Sequence, residues 1–173
     1  VFHEYFQSIR DELGDLAVVS PDVGNVKIAN MYAQMLDAEL AIIDKRRLSG
    51  DHVRSTSIVG DVRGRNVLMV DDMISTAGTV CEAARTLKDH GADQIMVAAT
   101  HPVMCGPAVE RLTASPINRI IVTNTIPSGN RYAGIEDRIV ELCVGPLFSG
   151  AIDHIHYNKS VSALFRQFGD SKR

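Results

Sequence analysis

Two adjacent carboxylates, Asp71 and Asp72, follow four apolar residues at 67–70 and precede a loop of small residues. The apolar run predicts a buried strand, and parallel sheets bind their ligands at the carboxyl ends of such strands. Ionised carboxylates only accept hydrogen bonds, which suits vicinal sugar hydroxyls or a hydrated Mg²⁺. The N–H and hydroxyl groups of the loop can surround a phosphate at the positive end of the next helix. The loop consists of Ser75, Thr76, Ala77, Gly78 and Thr79. This stretch therefore predicts a site for a sugar phosphate.

The same residues also have a simpler interpretation, because Asp, Ser and Thr are common in turns and at helix N-caps. A strand, paired carboxylates, a small-residue loop and a helix in one run are more specific than any of these parts alone. The sequence contains neither G-x-x-x-x-G-K-[ST] nor G-x-G-x-x-G. Triphosphate binding through a Walker motif is therefore disfavoured.

The run VLMVDDMISTAGT at 67–79 resembles the PRPP loop of the type I phosphoribosyltransferases; PRPP is 5-phosphoribosyl 1-diphosphate. SPDVGN at 20–25, IIDKRR at 42–47 and VTNTIP at 122–127 narrow the resemblance to the ribose-phosphate diphosphokinases, or PRPP synthetases. The similarity runs from about residue 2 to residue 168 and matches only the C-terminal half of those enzymes. It implies transfer of the β,γ-diphosphoryl group of Mg·ATP to the 1-hydroxyl of ribose 5-phosphate, giving PRPP and AMP.

The resemblance also assigns residues to the sugar-phosphate site. Asp71 and Asp72 would hold the ribose hydroxyls, and the loop would hold the 5-phosphate. Many members carry an acidic residue where this chain has Ser75. The implied ribose 5-phosphate site comprises Arg47, Asp71, Asp72, Ser75, Thr76, Ala77, Gly78 and Thr79.

Residues 20–25 read by themselves as a turn with proline at its second position. The resemblance makes them a diphosphate loop, with contacts from Asp22, Gly24 and Asn25 and with Asp22 as a Mg²⁺ ligand. The family commonly has two glycines here, whereas this chain has Gly24 followed by Asn25. Because asparagine tolerates the left-handed backbone conformation, we expect the turn to persist.

Lys45, Arg46 and Arg47 form a cluster of cations after the strand predicted at 40–43. A charge run is usually a solvated face, but this one should lie beside the Asp71 loop, and mobile cations neutralise charge in phosphoryl transfer. The resemblance implies that Lys45 and Arg47 are catalytic residues of a flexible loop. Lys45 would contact the transferring phosphates, and Arg47 would lie between them and the ribose phosphate. Residues 47–54 lack an apolar period and predict a mobile surface loop.

Strands and helices alternate along the sequence, which predicts an α/β fold with a mainly parallel sheet and helices on both faces. The resemblance makes this fold type I phosphoribosyltransferase-like. Residues 58–65 predict a short hairpin-like excursion, and we expect a single domain over residues 1–173. The predicted strands are residues 16–19, 40–43, 67–70, 94–100, 119–123 and 139–142. The predicted helices are residues 2–13, a segment with apolar spacing at Ile28, Met31 or Tyr32, Met35 and Leu36, a segment ending at Gly91, and residues 106–113 and 146–154.

Composition excludes several classes of function. The net charge of −3 over 173 residues provides no global basic field for nucleic acid or a membrane surface, and we expect neither as a partner. The three cysteines match no C-x-x-C pattern and indicate reduced thiols in a cytoplasmic protein. Cys81 should be an apolar filler on its helix. His154 and His156, two residues apart, do not share a helix face, which disfavours a zinc site. His101 should be satisfied by backbone.

The family takes adenine contacts and a further metal-binding histidine from an N-terminal half that residues 1–173 do not supply. The start at Val1 suggests a fragment or a processed product. We therefore expect this chain alone to bind ribose 5-phosphate or PRPP weakly and to make PRPP poorly or not at all. Its expected partners are ATP, its own missing N-terminal domain and other copies of itself. The family implies a homo-oligomer, often hexameric, regulated by nucleoside diphosphate and inorganic phosphate.

Two alternatives remain open. A nucleobase phosphoribosyltransferase would use the same loop with PRPP, but it needs a hood over the base, and no separate segment for one is obvious. A non-catalytic regulatory subunit associated with PRPP synthetase should have lost loop charges or carboxylates. Lys45, Arg47, Asp71 and Asp72 are all present, which argues against that subunit.

Overall fold

A seven-stranded sheet forms the centre of the computed structural model, which describes residues 1–47 and 54–166. The strands are β1 (Leu16–Ser20), β2 (Glu39–Arg47), β3 (Arg54–Val59), β4 (Asn66–Met73), β5 (Ile95–His101), β6 (Arg119–Thr123) and β7 (Ile139–Leu142). The α-helices are α1 (Phe2–Ser8), α2 (Arg10–Leu13), α3 (Val26–Leu36), α4 (Gly78–Asp89), α5 (Ala108–Thr113), α6 (Gly145–His156) and α7 (Ala163–Arg166). Short 3₁₀ turns cover Val23–Asn25 and Glu136–Arg138.

The strand order is β3-β2-β1-β4-β5-β6-β7, and β3 pairs antiparallel to β2 while the other pairs are parallel. Val67 and Met69 of β4 pack into one hydrophobic cluster, together with α4 and α5. Leu68 and Val70 pack into a second cluster, together with α1, α2 and α3. Because successive strand residues point to opposite faces, helices must cover both faces of β4. The predicted fold class is confirmed.

The six predicted strands are all present, and β6 and β7 have the predicted bounds. The first predicted helix is two helices, because Ile9 between α1 and α2 has φ −112° and ψ 18°. The predicted apolar face of α3 was partly wrong, since Ile28 and Met31 are exposed while Ala29 and Ala33 are buried. Small residues face the sheet there, which lets the helix lie close to it.

The predicted excursion at 58–65 was wrong in its first part. Residues up to Val59 belong to β3, with Ile58 opposite Ile43 of β2. The sequence pattern did not predict this strand because residues 54–57, Arg-Ser-Thr-Ser, carry no apolar alternation. Within the described residues, each helix is too short or too polar to cross a lipid bilayer.

Gly60, directly after β3, allows two strands to approach closely. Its φ is +106°, and a Cβ added there would lie 2.8 Å from the carbonyl oxygen of Leu40 and 2.9 Å from Cα of Ala41. Gly64 also has positive φ, +71°, but a Cβ there would meet nothing within 4 Å. A side chain at Gly60 would therefore meet both backbone strain and steric overlap, whereas one at Gly64 would meet backbone strain alone.

We expect Gly60→Ala to lower the free energy of unfolding by about 2–4 kcal/mol, the sum of left-handed strain and overpacking against backbone. Gly64→Ala should cost only the strain, about 1 kcal/mol. Urea denaturation of both variants, followed by circular dichroism, measures the difference. Equal losses would contradict the close approach at Gly60.

Candidate functional site

Strand β4 carries the two carboxylates out of the core. Residues 67–70 are buried, Asp71 is half-buried and Asp72 is exposed. The strand runs on to Met73, three residues past the predicted end, because Asp71 and Met73 pair with Ala99 and His101 of β5. Asp71 and Asp72 are thus part of β4, in a region where its backbone still pairs with β5.

The Asp71 carboxyl lies in an electrostatically unfavourable position. Burial raises the pKa of Asp71. The N–H of Asp72 donates to Asp71 Oδ1 at 2.8 Å and lowers this pKa. The side chain of Asp72 and the charge of Asp22 raise it further. The net direction is upward. The carboxylates of Asp72 and Asp22 therefore add repulsion to the cost of burying the Asp71 charge. A cation or a set of hydroxyl donors at this position would relieve the repulsion.

An open pocket of about 220 Å³ follows the carboxylates and is lined by residues 71–80. Ala77 is buried in the left-handed conformation, with φ 58° and ψ 10°, and α4 begins at the next residue, Gly78. A non-glycine residue in this region is uncommon, and such strain is concentrated at ligand sites. The turn at Ala77 places the loop at the amino end of α4, where N–H groups and the helix dipole favour an anion.

The chain after β5 supports this loop through backbone hydrogen bonds. Ile74 N–H donates to the carbonyl of His101 at 3.0 Å, and Met104 N–H donates to the carbonyl of Ile74 at 2.9 Å. Cys105 N–H donates to the carbonyl of Ser75 at 3.0 Å, and their Sγ and Oγ atoms lie 3.3 Å apart. The loop that lines the pocket therefore has backbone support from residues 101–105, which the sequence did not predict.

Arg111 of α5 also contacts the loop, and sequence reasoning missed it. Its Nη1 donates to the carbonyl of Thr76 at 3.0 Å, across 35 residues of sequence. An arginine on a short helix has no local pattern that separates it from a solvated surface arginine. Only the contact in three dimensions identifies it.

The predicted diphosphate loop lies beside β4. Asp22 Oδ1 accepts a hydrogen bond from Asn25 N–H at 3.0 Å, and Asn25 Nδ2 donates to the carbonyl of Val70 at 2.6 Å. Ser20 Oγ donates to the carbonyl of Asp22 at 2.6 Å. Asn25 has φ −98°, so the expected use of a left-handed asparagine was wrong. Its side chain instead ties the loop to the residue before Asp71. A Cβ on Gly24 would lie 3.2 Å from Asp22 Oδ1, so the turn is tight.

The predicted cations lie on an extended strand. The backbone of β2 continues through Arg47, with Lys45 opposite Thr56 and Arg47 opposite Arg54 of β3. Residues 48–53, which contain most of the predicted mobile loop, lie outside the described residues, as do the side chains of Lys45 and Arg47. The roles predicted for these two side chains therefore stay predictions.

The histidines have individual partners. His101 Nδ1 hydrogen-bonds with Thr125 Oγ1 at 2.9 Å, so the expected backbone partner was wrong. His154 Nδ1 hydrogen-bonds with the carbonyl oxygen of Ser160 at 2.8 Å, and the His156 ring packs against Tyr157.

Thr123, at the end of β6, donates to the carbonyl of Thr100 at 2.7 Å.

Over residues 1–47 and 54–166, no three His, Cys, Asp or Glu side chains converge into a group that could hold a metal ion. Mg²⁺ is usually bound through one or two carboxylates, waters and substrate phosphates. Asp71, whose pKa is raised by burial and by the charges of Asp72 and Asp22, is in an environment that such a cation relieves. The residues present therefore fit a Mg²⁺ shared with a phosphorylated ligand.

The end of β4 combines a candidate binding site for hydroxyl groups with a candidate binding site for a phosphate. Carboxylate acceptors at Asp71 and Asp72 suit hydroxyl groups, and the loop that follows suits a phosphate. A phosphorylated sugar satisfies both when its hydroxyls and phosphate lie at opposite ends of the molecule.

Comparison with known proteins agrees with this chemistry. Residues 50–166 match the family described as phosphoribosyl synthetase-associated domain. The ribose-phosphate pyrophosphokinase of Rhodopirellula baltica is 46% identical over 169 residues, which is 96% of this chain and 52% of that protein. The enzyme of the same name from Caldanaerobacter subterraneus is 47% identical over 166 residues, 95% of this chain and 51% of that protein. The chain spans about half the length of the curated relatives it matches.

Solved structures show the same relation. The crystal structure of phosphoribosylpyrophosphate synthetase from Mycobacterium smegmatis matches with a TM-score of 0.81 and 34% identity, over 91% of this chain and 50% of that chain. The APRTase from Giardia lamblia, complexed with 9-deazaadenine, matches with a TM-score of 0.53 and 15% identity, over 69% of this chain and 75% of that chain. The second likeness shows the fold alone.

The raised pKa of Asp71 predicts how stability depends on pH. Because the folded-state pKa lies above the unfolded value, the favourable contribution is complete below the ordinary aspartate pKa and is lost as pH rises through the raised value. We expect Asp71→Asn to lose less stability than the wild type as pH rises from about 4 to about 7.

Urea denaturation across this pH range measures the effect, with Asp93→Asn as the control. Asp93 is an exposed carboxylate between α4 and β5, at the opposite edge of the sheet. The control should follow the wild-type curve. Parallel curves for the wild type and Asp71→Asn would contradict the strained position of this carboxylate.

Proposed function

Because the chain belongs to the phosphoribosyl synthetase-associated domain family, we propose that it is the C-terminal, sugar-phosphate half of a ribose-phosphate pyrophosphokinase. Such an enzyme makes PRPP and AMP from ribose 5-phosphate and ATP. The observation that carries the proposal is the pocket after β4, with carboxylates at one end and the amino end of α4 at the other. The names of the relatives, at 46% and 47% identity, support it.

Ribose 5-phosphate occupies this pocket in the proposed complex. Asp71 and Asp72 accept hydrogen bonds from the ribose hydroxyls. The 5-phosphate lies in the loop, where small side chains leave the N–H groups accessible and the α4 dipole favours negative charge. The loop residues are Ser75, Thr76, Ala77, Gly78 and Thr79. Ser75 supplies a hydroxyl where many members of the family carry an acid.

The proposed reaction is in-line transfer without a protein nucleophile. The anomeric hydroxyl of ribose 5-phosphate attacks the β-phosphorus of ATP and gives up its proton to solvent. The bond from that phosphorus to the α,β-bridging oxygen breaks, and AMP leaves with that oxygen. Positioning and charge stabilisation supply the rate. Asp22 and the phosphates would hold a Mg²⁺ ion, which would supply charge neutralisation for the transferring group. Lys45 contacts the transferring phosphates, and Arg47 bridges them to the sugar phosphate.

The remainder of the enzyme is part of the same proposal. Residues 1–173 form one phosphoribosyltransferase-like domain, and a second, N-terminal domain of the parent protein binds the adenine of ATP. The twofold greater length of the relatives supports this division. We further propose that the parent is a cytoplasmic homo-oligomer, hexameric as its resemblance implies.

A non-catalytic regulatory subunit would bind the same ligands without turnover. The retention of Asp71 and Asp72 at a formed pocket, and of Lys45 and Arg47 in sequence, favours the enzyme. A nucleobase phosphoribosyltransferase would release pyrophosphate from PRPP only when a base is added, so that assay separates it from both.

Removing one polar group from each end of the pocket tests sugar-phosphate binding. We expect Asp71→Asn and Thr76→Ala each to weaken ribose 5-phosphate affinity, because hydrogen bonds to charged groups contribute about 1.5–3 kcal/mol. Isothermal titration of the chain measures this. Thr113→Ala, which removes an exposed hydroxyl on α5 that donates to Val109, is the matched control. Unchanged affinity in both site variants would tell against the pocket.

Turnover tests the assignment of Lys45. In a parent protein that carries both halves, Lys45→Ala should lower kcat on the order of 100-fold, since it removes a cation that acts on developing charge, and change sugar affinity little. A coupled assay of AMP release measures kcat, with Lys159→Ala as the control. Lys159 pairs with Asp153 near the end of α6. The isolated chain should make PRPP poorly or not at all, and robust turnover by it would refute the division of labour.

A further inference from the structure

The guanidinium of Arg111 lies against the turn that begins α4. Its Nη1 donates to the carbonyl of Thr76 at 3.0 Å. A Cβ added to Gly78 would lie 3.3 Å from the same Nη1. The positive group therefore lies beside both residues that flank Ala77, at the place where the proposed function puts the 5-phosphate.

The guanidinium and the amino end of α4 bring two positive groups to the same turn. The amino end of a helix carries a partial positive charge of about +0.5, so a second positive group there raises the local potential. A phosphate placed at the same turn converts this repulsion into attraction. The charge of Arg111 thus makes the loop a stronger anion site than the α4 terminus alone.

The hydrogen bond to Thr76 has a second consequence. A carbonyl oxygen beside a phosphate would repel it, so the loop must keep this acceptor turned away from the ligand. Arg111 occupies the Thr76 carbonyl from the α5 side, while Ala77 is held in the left-handed conformation. The guanidinium therefore stabilises the loop shape in which N–H groups can reach an anion.

We propose that Arg111 is a positioning residue of the sugar-phosphate site, fixing the loop through the Thr76 carbonyl and adding positive charge beside the 5-phosphate. The inference rests on the proposed function, because it takes the loop to be where the phosphate binds. It adds a residue from outside the β4–α4 segment to the site.

Arg138 provides a matched arginine with a structural role. Its Nη1 donates to the carbonyls of Leu112 at 3.1 Å and Ile117 at 3.2 Å, and its Nη2 donates to that of Thr113 at 3.4 Å. These carbonyls lie at and just beyond the carboxyl end of α5, and none of them belongs to the loop at residues 75–79. Arg138 thus bonds backbone carbonyls as Arg111 does, without approaching the phosphate loop.

The test compares Arg111→Ala, Arg111→Lys, Arg111→Gln and Arg138→Ala in the full 173-residue chain. Titration with ribose 5-phosphate, followed by NMR, gives Kd, and ribose without phosphate is titrated in parallel. Arg111→Ala should raise Kd for ribose 5-phosphate about tenfold and leave Kd for ribose unchanged, because the lost positive charge and loop support act on the phosphate. Arg111→Lys should keep part of the affinity and bind better than Arg111→Gln. Arg138→Ala should lower thermal stability and leave Kd within about twofold of the wild type.

Guanidinium ion added at concentrations far below denaturation separates a site role from general loosening. It should restore affinity to Arg111→Ala and leave Arg138→Ala unchanged. Wild-type affinity in Arg111→Ala, or in Arg111→Gln should the alanine variant not fold, overturns the proposal. Equal losses in Arg111→Ala and Arg138→Ala, without guanidinium rescue, do the same. A wild-type chain that binds no ribose 5-phosphate removes the proposed function itself, and this inference with it.

Discussion

Burial of β4 on both faces is the constraint from which the site follows. Residues 67–70 alternate between two hydrophobic clusters, so a shift of one residue would exchange the contents of the two cores. The register with β1 and β5 is therefore strongly specified. It also fixes the point at which the chain leaves the core, and that point is Asp71. A half-buried carboxylate at the centre of the sheet is the direct result.

The site is maintained at a cost to the fold. Asp71 is held near two other carboxylates, and Ala77 is held in a conformation that favours glycine. Both features persist because surrounding contacts determine them, among them the bonds of Asn25 to Val70 and of Cys105 to Ser75. Ligand sites are often less stable than their scaffold allows, since the same groups that repel one another attract a substrate. Here a cation or a set of hydroxyl donors would relieve the repulsion at Asp71, and the loop conformation at Ala77 is already set before any ligand binds.

The sequence predicted what depends on local pattern and missed what depends on long-range contact. Apolar runs located the parallel strands, and the small-residue loop located the pocket after β4. Strand β3 was not predicted because its first four residues are polar and because residues 48–53 separate it in sequence from β2, with which it pairs. Asn25 was assigned a backbone role, whereas its side chain reaches 45 residues along the sequence to Val70. Arg111 lies 35 residues from the carbonyl it contacts, so no local spacing could indicate it.

Fold alone does not separate a diphosphokinase from a nucleobase transferase, since the APRTase likeness at 15% identity shares the fold and no more. The distinction must come from the residues that the fold carries at the site. Across the sheet edge, β2 with Lys45 and Arg47 lies next to β1 with Asp22, and β1 lies next to β4 with Asp71. Under the proposed function this places cations, metal ligand and sugar in sequence along one edge. In the proposed reaction, a diphosphoryl group that moves to the anomeric hydroxyl needs its charge neutralised on the side away from the sugar, and the β2 backbone that carries Lys45 and Arg47 lies on that side of β1.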